Sequence, residues 1–297
     1  MKPLIWITGA RGLIGNYIFQ KIKSSYQQWQ PFTLYRENLD LTNQSEVERF
    51  FLTNPPDAII HCAALSRSEQ CRKNPQLAFQ INVAVTERLS KLAKSIPLIF
   101  LSSDLVFDGQ TGNYSEEDKP NPINVYGKTK YLAEQIVLTN KLHTVVRTSL
   151  NYGFSLDGNR SFNEVMINQW LEGKTLQLFT DEYRSPIPSS ILSECIVKIL
   201  EKNLTGIFHI CGTKKLSRYE IGLLIAKRLQ IEDAKISPIS VIDYTAEPRP
   251  LDTSLNCEKI QKTLNITLPE FSKWIEKQPL EPLEIMLKNK CNKNANI

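Results

Sequence analysis

The sequence has few of the residues that build metal centres or disulfide frameworks. Its six cysteines are scattered, no Cys-x-x-Cys pair occurs, and its three histidines do not cluster with the cysteines. A metal site is therefore not expected, and free or buried thiols in a reducing compartment are the simplest interpretation.

Long hydrophobic runs and a strong charge of one sign are also missing. No stretch approaches the length of a membrane span, and the N-terminus has no long apolar run followed by a cleavage site. The net charge of +5 tolerates a phosphate-bearing ligand but is too small and too dispersed to indicate nucleic-acid binding. We predict a soluble cytoplasmic protein that binds neither membranes nor nucleic acid.

The order of apolar runs predicts the fold class. Short strand patterns alternate with helix patterns through residue 149, which indicates an α/β fold with a Rossmann-type, doubly wound parallel sheet. After residue 150 the alternation of strand and helix patterns becomes less regular. We predict a Rossmann domain over 1–150, a smaller mixed α/β substrate-binding lobe over 151–285 with segments that can return to the first domain, and a flexible tail over 286–297.

A glycine-rich turn follows the first predicted strand, Leu4–Thr8, and precedes a helix pattern. Glycines at 9, 12 and 15 let the main chain approach a pyrophosphate, which would meet free N–H groups at the helix N-terminus. The spacing differs from the Gly-x-Gly-x-x-Gly of long-chain dinucleotide binders. Glycines that serve packing alone are the alternative, but their placement favours a phosphate-binding loop.

Arg36 follows the second predicted strand. An acidic residue there would hold a ribose, whereas an arginine can receive a 2′-phosphate, so Arg36 and Arg11 favour NADP(H) over NAD(H). Two surface arginines are the alternative. Asp40 can reach an adenine amino group, and small residues after the third strand let a coenzyme lie against the main chain. The predicted coenzyme contacts are Gly9, Arg11, Gly12, Leu13, Ile14, Gly15, Arg36, Asp40, Leu41, Cys62, Ala63, Ala64, Ser102, Tyr126 and Lys130.

Tyr126 and Lys130 lie four residues apart on the first turns of a predicted helix, and so on one helical face. A phenol has a pKa of about 10, and a nearby ammonium lowers that pKa by roughly 1–3 units. Tyr126 could then exchange a proton with a carbonyl or alcohol oxygen near neutral pH, and Lys130 could hydrogen-bond a ribose. An amphipathic helix with a solvated lysine is the alternative.

Further polar residues complete the predicted site. Ser103 follows the fourth strand, at the edge where open α/β sheets bind ligands, and can hydrogen-bond a substrate oxygen. Asn82 lies within an apolar helix pattern and either braces the site or occupies a helix face. Arg184 and Arg249 are candidates for binding a substrate diphosphate, with surface arginines on turns as the alternative. Asp104, beside Ser103, completes the predicted substrate contacts.

Taken in order, these motifs resemble an extended short-chain dehydrogenase/reductase, and in particular the dTDP-4-dehydrorhamnose reductase group. The likeness covers roughly residues 3–275 and extends into the second lobe. The motifs that carry it are Gly9-x-x-Gly12-x-x-Gly15, Ala63-Ala64, Ser102-Ser103-Asp104-x-Val106-Phe107, Pro122-x-Asn124-x-Tyr126-Gly127-Lys128-x-Lys130, Arg147-Thr148-Ser149 and Arg249-Pro250 with Leu255-Asn256 and Lys259.

This resemblance implies a specific chemistry. NADPH would supply hydride to the ketone carbon of a nucleotide-activated 4-keto-6-deoxy sugar, for deoxysugar or polysaccharide biosynthesis. Tyr126 would protonate the ketone oxygen, Ser103 would orient it, and Lys130 would hold the nicotinamide ribose and favour the phenolate. The expected partner is thus a nucleotide-diphosphate sugar, and a homodimer is compatible with this assignment.

The sequence departs from the family pattern at three positions and from that of a related enzyme class at a fourth. Ser103 replaces the usual threonine and keeps its hydroxyl, whereas Leu150 replaces a common aromatic residue and Arg184 replaces a small one, so the sugar can differ. Leu105 follows Asp104 where sugar-nucleotide dehydratases have an Asp-Glu pair, which argues against dehydration.

Two other functions remain open at this point. One is an NADP-binding regulatory subunit, because the beta subunit of methionine adenosyltransferase resembles the same family. The other is a nucleotide-sugar epimerase that keeps its coenzyme bound. Retention of the serine, tyrosine and lysine favours the reductase.

Overall fold

A computed structural model describes residues 1–231, 234–244 and 248–294. Its strands are β1 (Leu4–Thr8), β2 (Gln30–Leu34), β3 (Ala58–His61), β4 (Leu98–Ser103), β5 (Thr144–Thr148), β6 (Asn151–Tyr152), β7 (Leu176–Phe179), β8 (Tyr183–Arg184), β9 (Ile187–Pro188), β10 (Gly206–Ile210), β11 (Leu216–Ser217) and β12 (Ile236–Ile239).

The helices alternate with these strands in the first half of the chain and dominate its end. They are α1 (Leu13–Ser25), α2 (Gln44–Thr53), α3 (Ser68–Lys73), α4 (Pro75–Phe79), α5 (Val85–Leu92), α6 (Val125–Val137), α7 (Phe162–Leu171), α8 (Ser189–Glu201), α9 (Arg218–Leu229), α10 (Glu258–Leu264), α11 (Phe271–Lys277) and α12 (Pro282–Asn294), with a π-helix over Gln80–Ala84 and a 3₁₀ turn over Asp104–Val106.

Six parallel strands form the central sheet in the order β10-β5-β4-β3-β1-β2. Side chains that alternate along β1 enter different cores. Ile5 and Ile7 pack with α1 and α8 on one face, and Trp6 packs with α2 and α5 on the other. This is a Rossmann-type, doubly wound sheet, as predicted. The strand order reverses between β1 and β3, so a ligand crevice is expected at their carboxyl ends.

A second hydrophobic core builds the lobe beside the sheet. It joins α7, β7, α9, α11 and α12 through buried side chains that include Met166, Ile221 and Phe271. Strand β10 pairs with β5, and α8 packs against α1. These two elements fall within 151–285 in sequence but lie with the sheet.

Helix α12 includes most of the segment over 286–297, whose flexibility stays a prediction. Helix α12 runs to Asn294, and Cys291 is buried in the core of the lobe; residues 295–297 lie outside the described part. Glu284 at the start of α12 connects this helix to the second lobe, because its buried carboxylate pairs with Arg228 at 2.6 Å and accepts a hydrogen bond from the Tyr152 hydroxyl. These partners are far away in sequence.

Candidate functional site

Helix α6 is fixed at its N-terminus by two residues. The Asn124 side chain accepts a hydrogen bond from the Gly127 N–H at 2.7 Å and caps the helix. Gly127 is pressed against the 3₁₀ turn after β4, where a Cβ atom would lie 2.0 Å from the Leu105 carbonyl oxygen. Glycine is thus required for α6 to approach the carboxyl end of β4, and Tyr126 is carried there with it.

Ser103, Tyr126 and Lys130 come together at this edge of the sheet. Ser103 is buried at the end of β4, close enough to the half-buried Tyr126 phenol to affect its pKa. Lys130 is buried one turn further along α6, with its Nζ 3.9 Å from the centre of the Phe100 ring. The structure therefore groups the three residues for which catalytic roles were predicted.

The expected effect of Lys130 on the Tyr126 phenol is wrong for this structure. Burial raises the pKa of Tyr126, the nearby Asp104 carboxylate raises that pKa further, and the Ser103 hydroxyl opposes both effects. Burial also lowers the pKa of Lys130 to about 7, although Glu134 one turn along α6 works in the other direction. Desolvation, which the sequence does not report, is the largest cause of both pKa shifts.

Ser102 faces away from Ser103, because side chains alternate along a strand. Its hydroxyl donates to Glu134, whose carboxylate also forms a buried pair with Arg147 at 2.7 Å. The Ser102 side chain is thus used inside the fold, and its contribution to coenzyme binding stays a prediction.

Asn82 braces α6 from the π-helix. Its side-chain oxygen accepts from the Leu65 N–H at 2.8 Å, and its amide donates to the Thr129 hydroxyl at 3.0 Å. Thr129 in turn donates to the Tyr126 carbonyl at 2.8 Å. Thr129 was missed in the sequence, where its only signal is a hydroxyl on the apolar side of α6.

The glycine turn is built to lie against the end of β3. Gly9 has φ +66°, and a Cβ atom there would lie 2.7 Å from the Ala63 nitrogen. Gly12 is the N-cap of α1, which starts at Leu13 directly after β1 and brings main-chain N–H groups to the crevice. A tight glycine cradle at a helix N-terminus fits a dinucleotide pyrophosphate. Ile14, Gly15, Cys62 and Ala64 flank this cradle in the chain, and their contacts to a coenzyme stay predictions.

The residues after β2 lie at the surface. Arg36 has 81% of its side chain exposed and lies 4.0 Å from the Asp40 carboxylate, while Arg11 pairs with Glu37. Asp40 already accepts from the Thr42 N–H and hydroxyl at 2.9 and 2.8 Å, which lowers its pKa. The two exposed guanidiniums suit a phosphate, whereas an adenine contact by Asp40 must compete with its existing bonds. The Leu41 carbonyl accepts from Arg88 at 2.5 Å.

The two predicted substrate arginines lie together around one buried acid. Arg249 binds the Glu182 carboxylate at 2.6 Å, Arg184 binds it at 3.1 Å, and Arg218 lies 4.0 Å from it. Arg184 also lies 3.6 Å from Asp104. Glu182 and Arg218 were missed, since nothing in their local sequence marks them. We call these five residues the arginine cluster; it holds three positive and two negative side chains.

Arg184 and Arg249 differ in how far they can serve a ligand. Arg184 is buried and donates to the Tyr183 carbonyl at 2.7 Å, so its guanidinium is held inside the fold. Arg249 is only partly buried, and its guanidinium lies 4.9 Å from the Phe179 ring centre and 5.6 Å from that of Tyr244. Their contact with a substrate diphosphate stays a prediction.

The described residues offer neither a metal centre nor a membrane-spanning helix. Nowhere among the described residues do three or more histidine, cysteine or acidic side chains gather as a metal ion would require. Across the described helices, none combines the length and apolarity needed to cross a bilayer.

Comparison with known proteins places the chain in a family. Residues 1–280 match the family described as RmlD substrate binding domain. A dTDP-4-dehydrorhamnose reductase from Bacillus anthracis, crystallised in complex with NADP, superposes with a TM-score of 0.83 at 27% identity, covering 93% of this chain and 98% of that one.

The chain is also similar to proteins of two different kinds, a methionine adenosyltransferase subunit and a polysaccharide biosynthesis protein. Methionine adenosyltransferase 2 subunit beta of Xenopus laevis is 31% identical over 273 residues, covering 86% of this chain and 81% of the relative. The spore coat polysaccharide biosynthesis protein SpsK of Bacillus subtilis is 28% identical over 262 residues, covering 87% and 90%. The fold, the grouped serine, tyrosine and lysine, and the match over 280 residues together show that this chain belongs to the RmlD substrate-binding-domain family.

Proposed function

We propose that this protein is an NADPH-dependent reductase of the 4-keto group of a nucleotide-activated 6-deoxy sugar. The observation that carries the proposal is the grouping of Ser103, Tyr126 and a buried Lys130 at the crevice that begins with the glycine turn. The likeness to an NADP-bound dTDP-4-dehydrorhamnose reductase supports the same reaction and coenzyme.

The bound nicotinamide would supply hydride, and the chain's own residues would position the substrate and handle the proton. Tyr126 donates its phenolic proton to the ketone oxygen, and its raised pKa keeps the proton on the phenol at neutral pH. Ser103 orients the same oxygen. Lys130 hydrogen-bonds the nicotinamide ribose, and the exposed Arg11 and Arg36 receive the 2′-phosphate.

The second lobe would bind the rest of the substrate. Of the three arginines that pair with Glu182, Arg249 has the most exposed side chain. The arginine cluster carries one more positive than negative charge, which favours binding of a diphosphate. Arg184 contributes mainly by holding Glu182 and Asp104 in place.

The decisive experiment is an assay of purified protein with NADPH and a panel of nucleotide-linked 4-keto-6-deoxy sugars, followed by the absorbance of the reduced nicotinamide. We expect turnover with at least one substrate. Tyr126→Phe should reduce kcat by about 10²-fold or more while NADPH still binds. Tyr131→Phe on the same helix is the matched control and should keep its activity; a fully active Tyr126→Phe variant contradicts the assignment.

A second candidate function is that of a subunit in a methionine adenosyltransferase complex. The identity of 31% to a beta subunit of that enzyme favours it. This role predicts that the protein binds a methionine adenosyltransferase catalytic subunit in solution and oxidises no NADPH with any sugar of the panel. Turnover with a sugar, together with no binding to that subunit, would exclude it.

A further inference from the structure

The turn after β2 presents two charged side chains at fixed positions. The N–H groups of Asn38 and Leu39 both donate to the Tyr35 carbonyl, at 3.0 and 2.9 Å, and close a turn that has Arg36 and Glu37 at its tip. The Leu39 side chain is buried in the core on one face of the sheet, so the turn is anchored to the fold. Glu37 is therefore held, exposed, at the strand end that borders the adenosine ribose in a Rossmann sheet.

The Glu37 carboxylate pairs with Arg11 of the glycine turn. It accepts a hydrogen bond from Arg11 Nη1, and the same guanidinium lies 5.8 Å from the centre of the Tyr35 ring. Both side chains of the pair are more than half exposed. An exposed ion pair contributes little to stability. The pair therefore opens at small cost, and its main effect is on the charge that a ligand meets at this edge of the sheet.

The charges at this edge are balanced. Arg11 and Arg36 supply two positive charges, and Glu37 and Asp40 supply two negative charges, with Arg36 Nε 4.0 Å from the Asp40 carboxylate. A surplus of positive charge is what attracts a phosphate. Asp40 is already held by the Thr42 N–H and hydroxyl. Glu37 is thus the carboxylate that competes directly for an arginine that a 2′-phosphate would need.

We propose that Glu37 is a specificity-determining residue that weakens the preference of this protein for NADP(H) over NAD(H). Its carboxylate competes with the 2′-phosphate of NADP(H) for Arg11 and repels that phosphate. Toward NAD(H) the same carboxylate accepts a hydrogen bond from the ribose 2′-hydroxyl. The proposal rests on the proposed function, in which Arg11 and Arg36 receive the 2′-phosphate, and it deepens that function by making the wild type a binder of both coenzymes.

Glu37→Gln tests the proposal, because it removes the charge and keeps the size of the side chain. We expect the Kd of NADPH to fall by about tenfold, since both the repulsion and the competition for Arg11 disappear. The Kd of NADH should stay within about threefold, because an amide still hydrogen-bonds a hydroxyl. Isothermal titration calorimetry with each coenzyme measures both constants without any sugar substrate.

Glu258→Gln is the matched control. Glu258 is an exposed carboxylate in a similar ion pair, with Lys262 at 2.9 Å, and it lies on α10. Helix α10 packs beside β10, at the opposite edge of the sheet from β2. Both coenzyme Kd values should change by less than about twofold in this variant, which carries the same change in net charge as Glu37→Gln.

Two further measurements distinguish charge from shape at Glu37. Glu37→Asp keeps the carboxylate and should keep the ratio of the two Kd values within about threefold of the wild type. Raising the ionic strength from about 0.05 M to about 0.5 M should reduce the difference between Glu37→Gln and the wild type for NADPH, because salt screens interactions between exposed charges. A role in shaping the turn alone would show no such dependence on salt.

Three outcomes would overturn the proposal. Unchanged NADPH affinity in Glu37→Gln would mean that the carboxylate does not oppose the phosphate. Weaker NADPH binding in that variant would mean that Glu37 helps to place Arg11. An equal gain for NADPH and NADH would make the effect one of net charge and not of specificity.

Arg11→Ala and Arg36→Ala separate this proposal from the proposed function. If both variants lose affinity for NADPH while Glu37→Gln gains none, only the role of Glu37 is wrong. If neither arginine variant loses affinity, the 2′-phosphate contacts of the proposed function are wrong, and the role of Glu37 falls with them. A wild type that binds coenzyme but reduces no sugar of the panel would contradict the reductase, and the binding measurements would still decide the role of Glu37.

Discussion

At the scale of single residues, Lys130 is a group whose ionisation depends strongly on burial. Its ammonium lies over the Phe100 ring at 3.9 Å, and desolvation lowers its pKa from 10.5 to about 7. Lysine is suited to such a shift, because its charge is compact and strongly hydrated. Lys130 in the coenzyme-free protein is therefore only partly charged at neutral pH, and a ligand that hydrogen-bonds the ammonium would favour the charged form.

The first prediction concerns stability and pH. Between pH 7 and pH 10.5 the unfolded chain binds more protons at Lys130 than the folded protein does, so this site's contribution to the free energy of unfolding rises with pH. The free energy of unfolding of the wild type, minus that of Lys130→Met, should therefore increase by about 2 kcal/mol from pH 7 to pH 9. Urea unfolding at both pH values measures it.

Lys128→Met is the control, because Lys128 is exposed on the same helix. Its difference from the wild type should stay constant between the two pH values. A constant difference for Lys130→Met as well would show that Lys130 keeps an ordinary pKa in the folded protein.

The residue types at the site were readable from the sequence, whereas their ionisation was not. The spacing of Tyr126 and Lys130 and the position of Ser103 after a strand are local features, and they predicted the group that the structure assembles. The sign of the Tyr126 pKa shift was predicted wrongly, because it depends on how much protein surrounds the phenol. Spacing along a helix carries no information on desolvation.

At the scale of elements, α6 owes its position to its N-terminus. Asn124 caps it, and the missing side chain of Gly127 lets it touch the turn after β4. Tyr126 lies in the first turn, where helices fray most easily. The cap is therefore expected to matter for the chemistry as well as for stability.

The second prediction compares two asparagine caps. Asn124→Ala and Asn43→Ala each remove a cap and should each cost about 1 kcal/mol of unfolding free energy. Only Asn124→Ala should also lower kcat, by about tenfold, because it loosens the turn that carries the phenol. Steady-state assays and urea unfolding test both variants. Equal kcat values for Asn124→Ala and Asn43→Ala would show that the cap of α6 does not contribute to catalysis.

The apolar helix pattern around Asn82 also shows what a sequence pattern can and cannot predict. The helical pattern was right, but the structure interrupts it with a π-helix over Gln80–Ala84. Such interruptions are frequent at functional sites. Here the wider turn carries Asn82, which contacts both Leu65 and Thr129, and these contacts lie across the fold.

At the scale of the whole molecule, buried ion pairs fasten distant segments. Arg228 and Glu284 join α9 to α12 with side chains that are 5% and 1% exposed. The same arginine donates to the Ile275 carbonyl at 2.6 Å. The C-terminal helix is thus an integral part of the second lobe.

The third prediction follows from the burial of this pair. Glu284→Ala leaves an uncompensated guanidinium and should lower the free energy of unfolding by about 3 kcal/mol. Glu276→Ala breaks the exposed pair with Lys227 and should change it by less than about 1 kcal/mol. Urea unfolding followed by tryptophan fluorescence compares the two variants. Similar losses of unfolding free energy in both would show that the buried Arg228–Glu284 pair stabilises the protein no more than an exposed pair does.

The sequence by itself determined the parts of this protein that depend on neighbours along the chain. The strand, glycine turn and helix at residues 4–25, the strands through β5, and the grouping of Ser103 with Tyr126 and Lys130 all follow from local periodicity and spacing. Only the tertiary structure decided that β10 completes the sheet, that α12 is held by Arg228, and that three arginines surround Glu182. Those features arise from burial and from contacts between segments far apart in sequence, which a local pattern does not encode.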